Sequence, residues 1–119
     1  MDTAGGEIDP APLRLDRSAD GDGRVCLAVA GELDISNLDR LREAVDAILA
    51  RPHLTALVLD FSPLDFIDSS GVQVLTGAKR TADSRGVGFW VINAHGKVLR
   101  VLSILGLDQV LFATEQPEP

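Results

Sequence analysis

The run Thr55-Ala56-Leu57-Val58-Leu59-Asp60-Phe61 is nearly all apolar, with no alternation and no helical spacing. Such a run fits a β-strand with both faces covered, and that needs elements packed on each side of a sheet. The segments around it supply them. Val25, Leu27 and Val29 alternate as a strand, with the small Cys26, Ala28 and Ala30 on the other face. Leu38, Leu41, Val45, Ile48 and Leu49 fall at helical spacing and stop at Arg51-Pro52. Val72, Leu75, Ala78 and Ala82 repeat that spacing up to Arg85-Gly86.

Shorter elements complete the pattern. Leu13-Arg14-Leu15-Asp16 reads as a strand joined through Asp20-Gly21-Asp22-Gly23 to the strand Arg24–Ala30. Val87 to Ile92 is a strand carrying Trp90, a core candidate. Val98 to Leu105 is a short helix closed by Gly106, and Gln109 to Phe112 is read as a last strand. The order is β-β-α-β-α-β-α-β. Strands alternating with helices imply parallel pairing through right-handed crossovers, and the opening hairpin makes the sheet mixed. The expectation is one α/β domain over residues 13–113, with loose tails at 1–12 and 114–119.

The 119 residues carry 11 basic and 18 acidic side chains, a net charge of −7. The basic residues are scattered, which disfavours nucleic acid and anionic membranes and favours a protein partner with a basic patch. Cys26 is the single cysteine, so no internal disulfide or cysteine zinc cluster forms. It is expected to be a small buried hydrophobe. With no signal peptide and no long apolar run, a cytoplasmic protein is expected.

In sheets of this type, sites lie at the C-terminal ends of strands. Two segments should meet there. Gly31-Glu32-Leu33-Asp34, read as a loop, follows the second strand; Ser36 beyond it is read as the N-cap of the first helix, with Asp39 as a weak capping box. Asp68-Ser69-Ser70-Gly71 opens the second helix, where free N–H groups and a partial positive charge favour either a hydroxyl cap or a phosphoryl group. The residues alone make Ser69 or Ser70 the cap.

Catalysis by this chain finds little support. Ser69-Ser70-Gly71 lacks the Gly-x that precedes a nucleophile elbow, and only His53 and His95 exist as bases. No P-loop is present. Asp20-Gly21-Asp22-Gly23 begins like a calcium loop, but Val25 and Gly31 stand where that loop needs Gly and an acid. Asp60, Asp65 and Asp68 lack the acidic pair and the late Lys of a receiver domain. No cofactor or metal is expected. An exposed Ser beside an Asp at a helix start instead suits a kinase acting in trans.

These residues together resemble the STAS family, and within it the bacterial anti-sigma factor antagonists. The resemblance rests on Gly31-Glu32-Leu33-Asp34, on Leu59-Asp60-Phe61 through Phe66-Ile67-Asp68-Ser69-Ser70-Gly71-Val72, and on Gly86 before an apolar strand with Leu105-Gly106-Leu107 closing a short helix. It implies a binding protein, not an enzyme. Its unphosphorylated form would bind an anti-sigma factor serine kinase and free the sigma factor. Phosphorylation on Ser69, directly after the Asp, would switch this off, and a metal-dependent serine phosphatase would reverse it. Asp68 would orient Ser69 and contact the partner with Gly71; Ser70 would be the neighbouring hydroxyl and helix cap; Glu32 and Asp34 would belong to the partner-contact loop. A monomer, or at most a weak dimer, is expected. The alternative the family allows is a STAS scaffold or sensor module that is never phosphorylated.

Overall fold

The computed structural model describes residues 13–112, so the loose tails expected at 1–12 and 114–119 lie outside the described residues. The elements are β1 (Leu13–Ala19), β2 (Arg24–Leu33), α1 (Leu38–Leu49), β3 (Ala56–Asp60), β4 (Leu64–Ile67), α2 (Ser69–Ser84), β5 (Gly88–Ile92), α3 (Gly96–Ile104) and α4 (Asp108–Leu111). The sheet runs β1-β2-β3-β5, with β4 also on β2. β1 and β2 are antiparallel and the other pairs parallel, so the sheet is mixed, as expected.

The long β2 divides its free edge. Arg24 to Ala28 pair with β3, and Gly31 to Leu33 pair with β4, with a register shift between Gly31 and Glu32. Gly31, at φ +103°, adopts the left-handed backbone that this irregularity requires. Two readings are corrected here. Gly31 to Leu33 are strand, not loop, because β4 gives them a ladder partner. The Asp68 turn follows β4, a strand the sequence pattern did not reveal.

The helical spacing holds. Leu38, Leu41, Val45, Ile48 and Leu49 of α1 and Val72, Leu75, Ala78 and Ala82 of α2 are all buried. They join Val25, Leu27, Val29, Leu57, Leu59, Phe89 and Val91 of the sheet, and Phe61 just past β3, in one apolar core. β3 is buried on both faces from Ala56 to Leu59, as its composition implied.

Three further expectations fail. Gln109 to Phe112 is not a strand: Asp108–Leu111 forms a helical turn, and only Phe112 bridges to Val91. The turn wins because Leu111 is fully buried while its N–H donates to the Leu107 carbonyl at 2.8 Å. Gly106, at φ +76°, permits the reversal from α3, with the Leu107 N–H reaching back to the Leu102 carbonyl at 2.8 Å. Trp90 and Cys26 are half-buried, not core. Strand alternation puts both on the sheet face opposite Val25 and Phe89, where Cys26 pairs with Val58 and Val58 with Trp90. The indole lies back along its own strand, so close to Gly88 that a Cβ there would sit 2.6 Å from Cη2.

Candidate functional site

The parallel pairing of Glu32 with Phe66 and of Leu33 with Ile67 sets the site. One residue beyond those pairs, Asp34 and Asp68 leave neighbouring strands together. The Asp68 N–H donates to the Leu33 carbonyl at 3.2 Å, which ties the two chain turns to each other. Glu32, Asp34, Asp68, Ser69, Ser70 and Gly71 therefore share one edge, although 34 positions separate the two aspartates. His53 lies at the opposite end, beside the Gly21–Arg24 turn, as a lining residue of another cavity. His95 comes near the site: it lines a surface cavity of about 400 Å³ with Glu32, Asp65 and Phe66. Its Nε2 lies 2.8 Å from the Ser62 carbonyl.

At the start of α2 the cap is Asp68, not a serine. Its φ of −107° and ψ of −177° are extended, and its Oδ1 accepts the Gly71 N–H at 3.0 Å. The expectation that Ser69 or Ser70 caps the helix is corrected: both lie inside the first turn, where a side-chain oxygen cannot turn back to the N–H groups. Asp68 spends that oxygen on Gly71, and no hydrogen bond joins its carboxylate to the Ser69 hydroxyl. Ser69 is exposed and Ser70 half-buried, and neither hydroxyl is hydrogen-bonded among the described residues. Gly71 is buried because the strands come close: a Cβ there would stand 2.8 Å from Ile67 Cγ1 and 3.0 Å from Leu33 Cδ2. Backbone approach explains this glycine, with no turn conformation involved.

The facing turn is braced from within. Asp34 Oδ1 accepts the Ser36 N–H at 2.9 Å and the Ser36 hydroxyl at 2.6 Å. Asn37 Oδ1 accepts the Asp34 N–H at 3.1 Å, and its Nδ2 donates to the Glu32 carbonyl at 2.9 Å. The N-cap of α1 is Asn37, not Ser36, and no Asp39 capping box forms, since the Ser36 hydroxyl is already committed to Asp34. Asn37 is a residue that spacing did not single out; an Asn just before a periodic helix was the available signal.

Behind the site, Asp60 at the end of β3 accepts the Ser62 N–H at 2.9 Å and the Asn93 amide at 3.0 Å. Burial pushes its carboxyl up, but the hydrogen bonds from the Ser62 backbone, Asn93 and the Ser62 side chain outweigh that and hold it below its ordinary value. These bonds fasten the β5–α3 connection, where Asn93 has φ +63°, to the end of β3. On the same sheet face the Cys26 thiol is pushed up by burial and by Asp60, against a smaller opposing effect of Arg24.

Comparison with known proteins agrees with this geometry. The anti-sigma-F factor antagonist RsfB of Mycobacterium tuberculosis is 32% identical over 98 residues, covering 81% of this chain and 79% of its own. An anti-sigma factor antagonist from Mycobacterium paratuberculosis superposes with a TM-score of 0.72 at 27% identity, over 84% of this chain and 83% of that one. Unphosphorylated SpoIIAA, from Bacillus, superposes with a TM-score of 0.73 at 22% identity, over 83% and 86% of the two chains. The STAS domain model matches residues 17–117. The chain belongs to the STAS domain family.

Proposed function

We propose that the protein is an anti-sigma factor antagonist controlled by phosphorylation of Ser69. Unphosphorylated, it binds an anti-sigma factor serine kinase and so frees the sigma factor. The observation that carries this reading is the division of labour at the start of α2. Asp68 caps the helix, so the exposed Ser69 hydroxyl has no structural duty and is open to a kinase. The kinase brings ATP and magnesium; its γ-phosphoryl group passes to Ser69 Oγ, the hydroxyl proton leaves and ADP departs. This chain is the substrate and supplies no catalytic group.

The phosphoryl group adds about −1.5 to −2 charges. It would join an edge that already carries Glu32, Asp34 and Asp68. The free N–H groups of the first helical turn tolerate that charge locally. A partner surface built for the uncharged hydroxyl would not. Binding is thus lost without refolding of the domain, and a metal-dependent serine phosphatase restores it. Glu32, Asp68 and Ser70 flank Ser69 within the contact surface, Gly71 lies buried behind it as the close-packed start of α2, and Asp34 shapes it through Ser36. Among the described residues no helix is long and apolar enough to cross a membrane, which fits work beside a sigma factor in the cytoplasm.

The test is incubation with a purified anti-sigma factor serine kinase of the same organism and ATP. One phosphate is expected, on Ser69; Ser69→Ala should take none and still bind. A phosphate on Ser70, or undiminished labelling of Ser69→Ala, would overturn the reading.

A further inference from the structure

Ile35 is 76% exposed, whereas Ile48 and Ile67 are buried to 1% or less. It stands at the apex of the turn between β2 and α1. That turn is not loose. The carbonyl of Asp34 accepts the N–H groups of Asn37 and Leu38 at 3.1 and 3.0 Å. Its carboxylate accepts from Ser36, and its own N–H goes to Asn37. The N–H groups of Asp34, Ser36, Asn37 and Leu38 are therefore satisfied within the turn, which braces the backbone on both sides of Ile35. A β-branched apolar side chain on a braced turn loses little conformational freedom when it is buried by another protein.

We propose that Ile35 is the apolar anchor of the partner interface, entering a pocket on the anti-sigma factor kinase whose rim carries basic side chains. The inference rests on the reading of Ser69 as the switch. Two observations choose this occupant. The first is continuity: Ile35 lies two residues beyond Leu33, whose carbonyl holds Asp68, so a partner seated on Ile35 also reaches Ser69. The second is charge. Ile35 adjoins Asp34 and shares the edge with Glu32 and with Asp68, which is tied to Leu33, on a chain of net charge −7. A second copy would bring the same carboxylates against these and be repelled, whereas a basic rim is attracted. The expected interface is an apolar centre inside a charged border, the arrangement in which one buried side chain dominates affinity.

The test titrates the purified kinase, without ATP, against the full chain and its Ile35→Ala, Ile35→Leu and Ser69→Asp variants. Ile35→Ala should weaken binding about 10- to 100-fold, the equivalent of fully burying an aliphatic side chain. Ile35→Leu should remain within about threefold, since it keeps the apolar volume. The melting temperature of both should match that of the unaltered chain. Binding by Ile35→Ala within about twofold, with Ser69→Asp still impaired, would overturn the anchor and leave the switch intact. A lowered melting temperature in Ile35→Ala, or loss of a self-dimer in sedimentation, would also overturn it by assigning Ile35 to the fold or to a second copy. Failure of the unaltered chain to bind at all would overturn the switch and the anchor together.

Discussion

The N–H of Asp68 is bonded to the carbonyl of Leu33, so the cap of α2 is held by the same strand that presents Glu32 and the Ile35 turn. Asp68 thus has two structural tasks before any partner arrives: its backbone closes the β2–β4 ladder, and its carboxylate closes the helix.

Asp68→Ala should therefore lower stability by about 1 kcal/mol, the typical loss for an N-cap. Ser70→Ala should stay within about 0.5 kcal/mol, because Ser70 makes no side-chain hydrogen bond among the described residues. Urea unfolding of the two variants separates these roles. A larger loss for Ser70→Ala would return the cap to the serine.

Gly71→Ala is expected to destabilise, although alanine is the better helix former by about 1 kcal/mol. The added methyl meets Ile67 and Leu33, both buried in the core. Overpacking of this kind costs about 1–3 kcal/mol, so the clash outweighs the propensity. Thermal melts should show a drop, and kinase binding should weaken further as the start of α2 is pushed away from β2.

The start of α2 also shows where sequence reading stops. Asp68, Ser69 and Ser70 are three successive residues able to cap, and composition does not choose among them. The choice falls on Asp68 because β4 delivers it in extended conformation while the next residues turn helical. β4 itself was hidden for a related reason. Only Leu64 and Ile67 of its four residues are buried, and it forms a strand because the distant Gly31–Leu33 segment offers an edge. The long helices were legible because each repeats its apolar spacing over several turns and so states its buried face locally. The last segment was misread for the opposite reason: Val110-Leu111-Phe112 has strand composition, but contacts made by Leu111 outside that segment decide its conformation.

Asp60 should give an acid-sensitive contribution to stability. Its carboxyl is held below the ordinary value in the folded chain. Its contribution is fully present above the unfolded carboxylate value of about 3.9 and is lost as pH falls through the lower folded value. Since the group is only half-buried, the contribution should be under about 1 kcal/mol. Asp60→Asn should flatten the acid limb of a stability-against-pH curve, and an unchanged limb would show that other carboxylates dominate it.

Cys26 should behave as a slow thiol. Burial and Asp60 raise its ionisation above the ordinary value, so little thiolate exists at neutral pH. Reaction with a disulfide reagent at pH 7 should be slower than for a free cysteine, and faster in Asp60→Asn. Rapid reaction at pH 7 would point to a redox role instead.

The ten residues of β2 run unbroken from the sheet core to the docking edge, giving β3 its partner first and β4 its partner next. The strand continues through the register shift at Gly31. A partner of the proposed kind would meet an edge already held by the sheet, with Asp68 bonded to Leu33 and Asp34 bonded to Ser36. On the proposed reading, the timing of the switch would belong to the enzymes that write and erase the phosphate, with this chain as the stiff handle that they grip and mark.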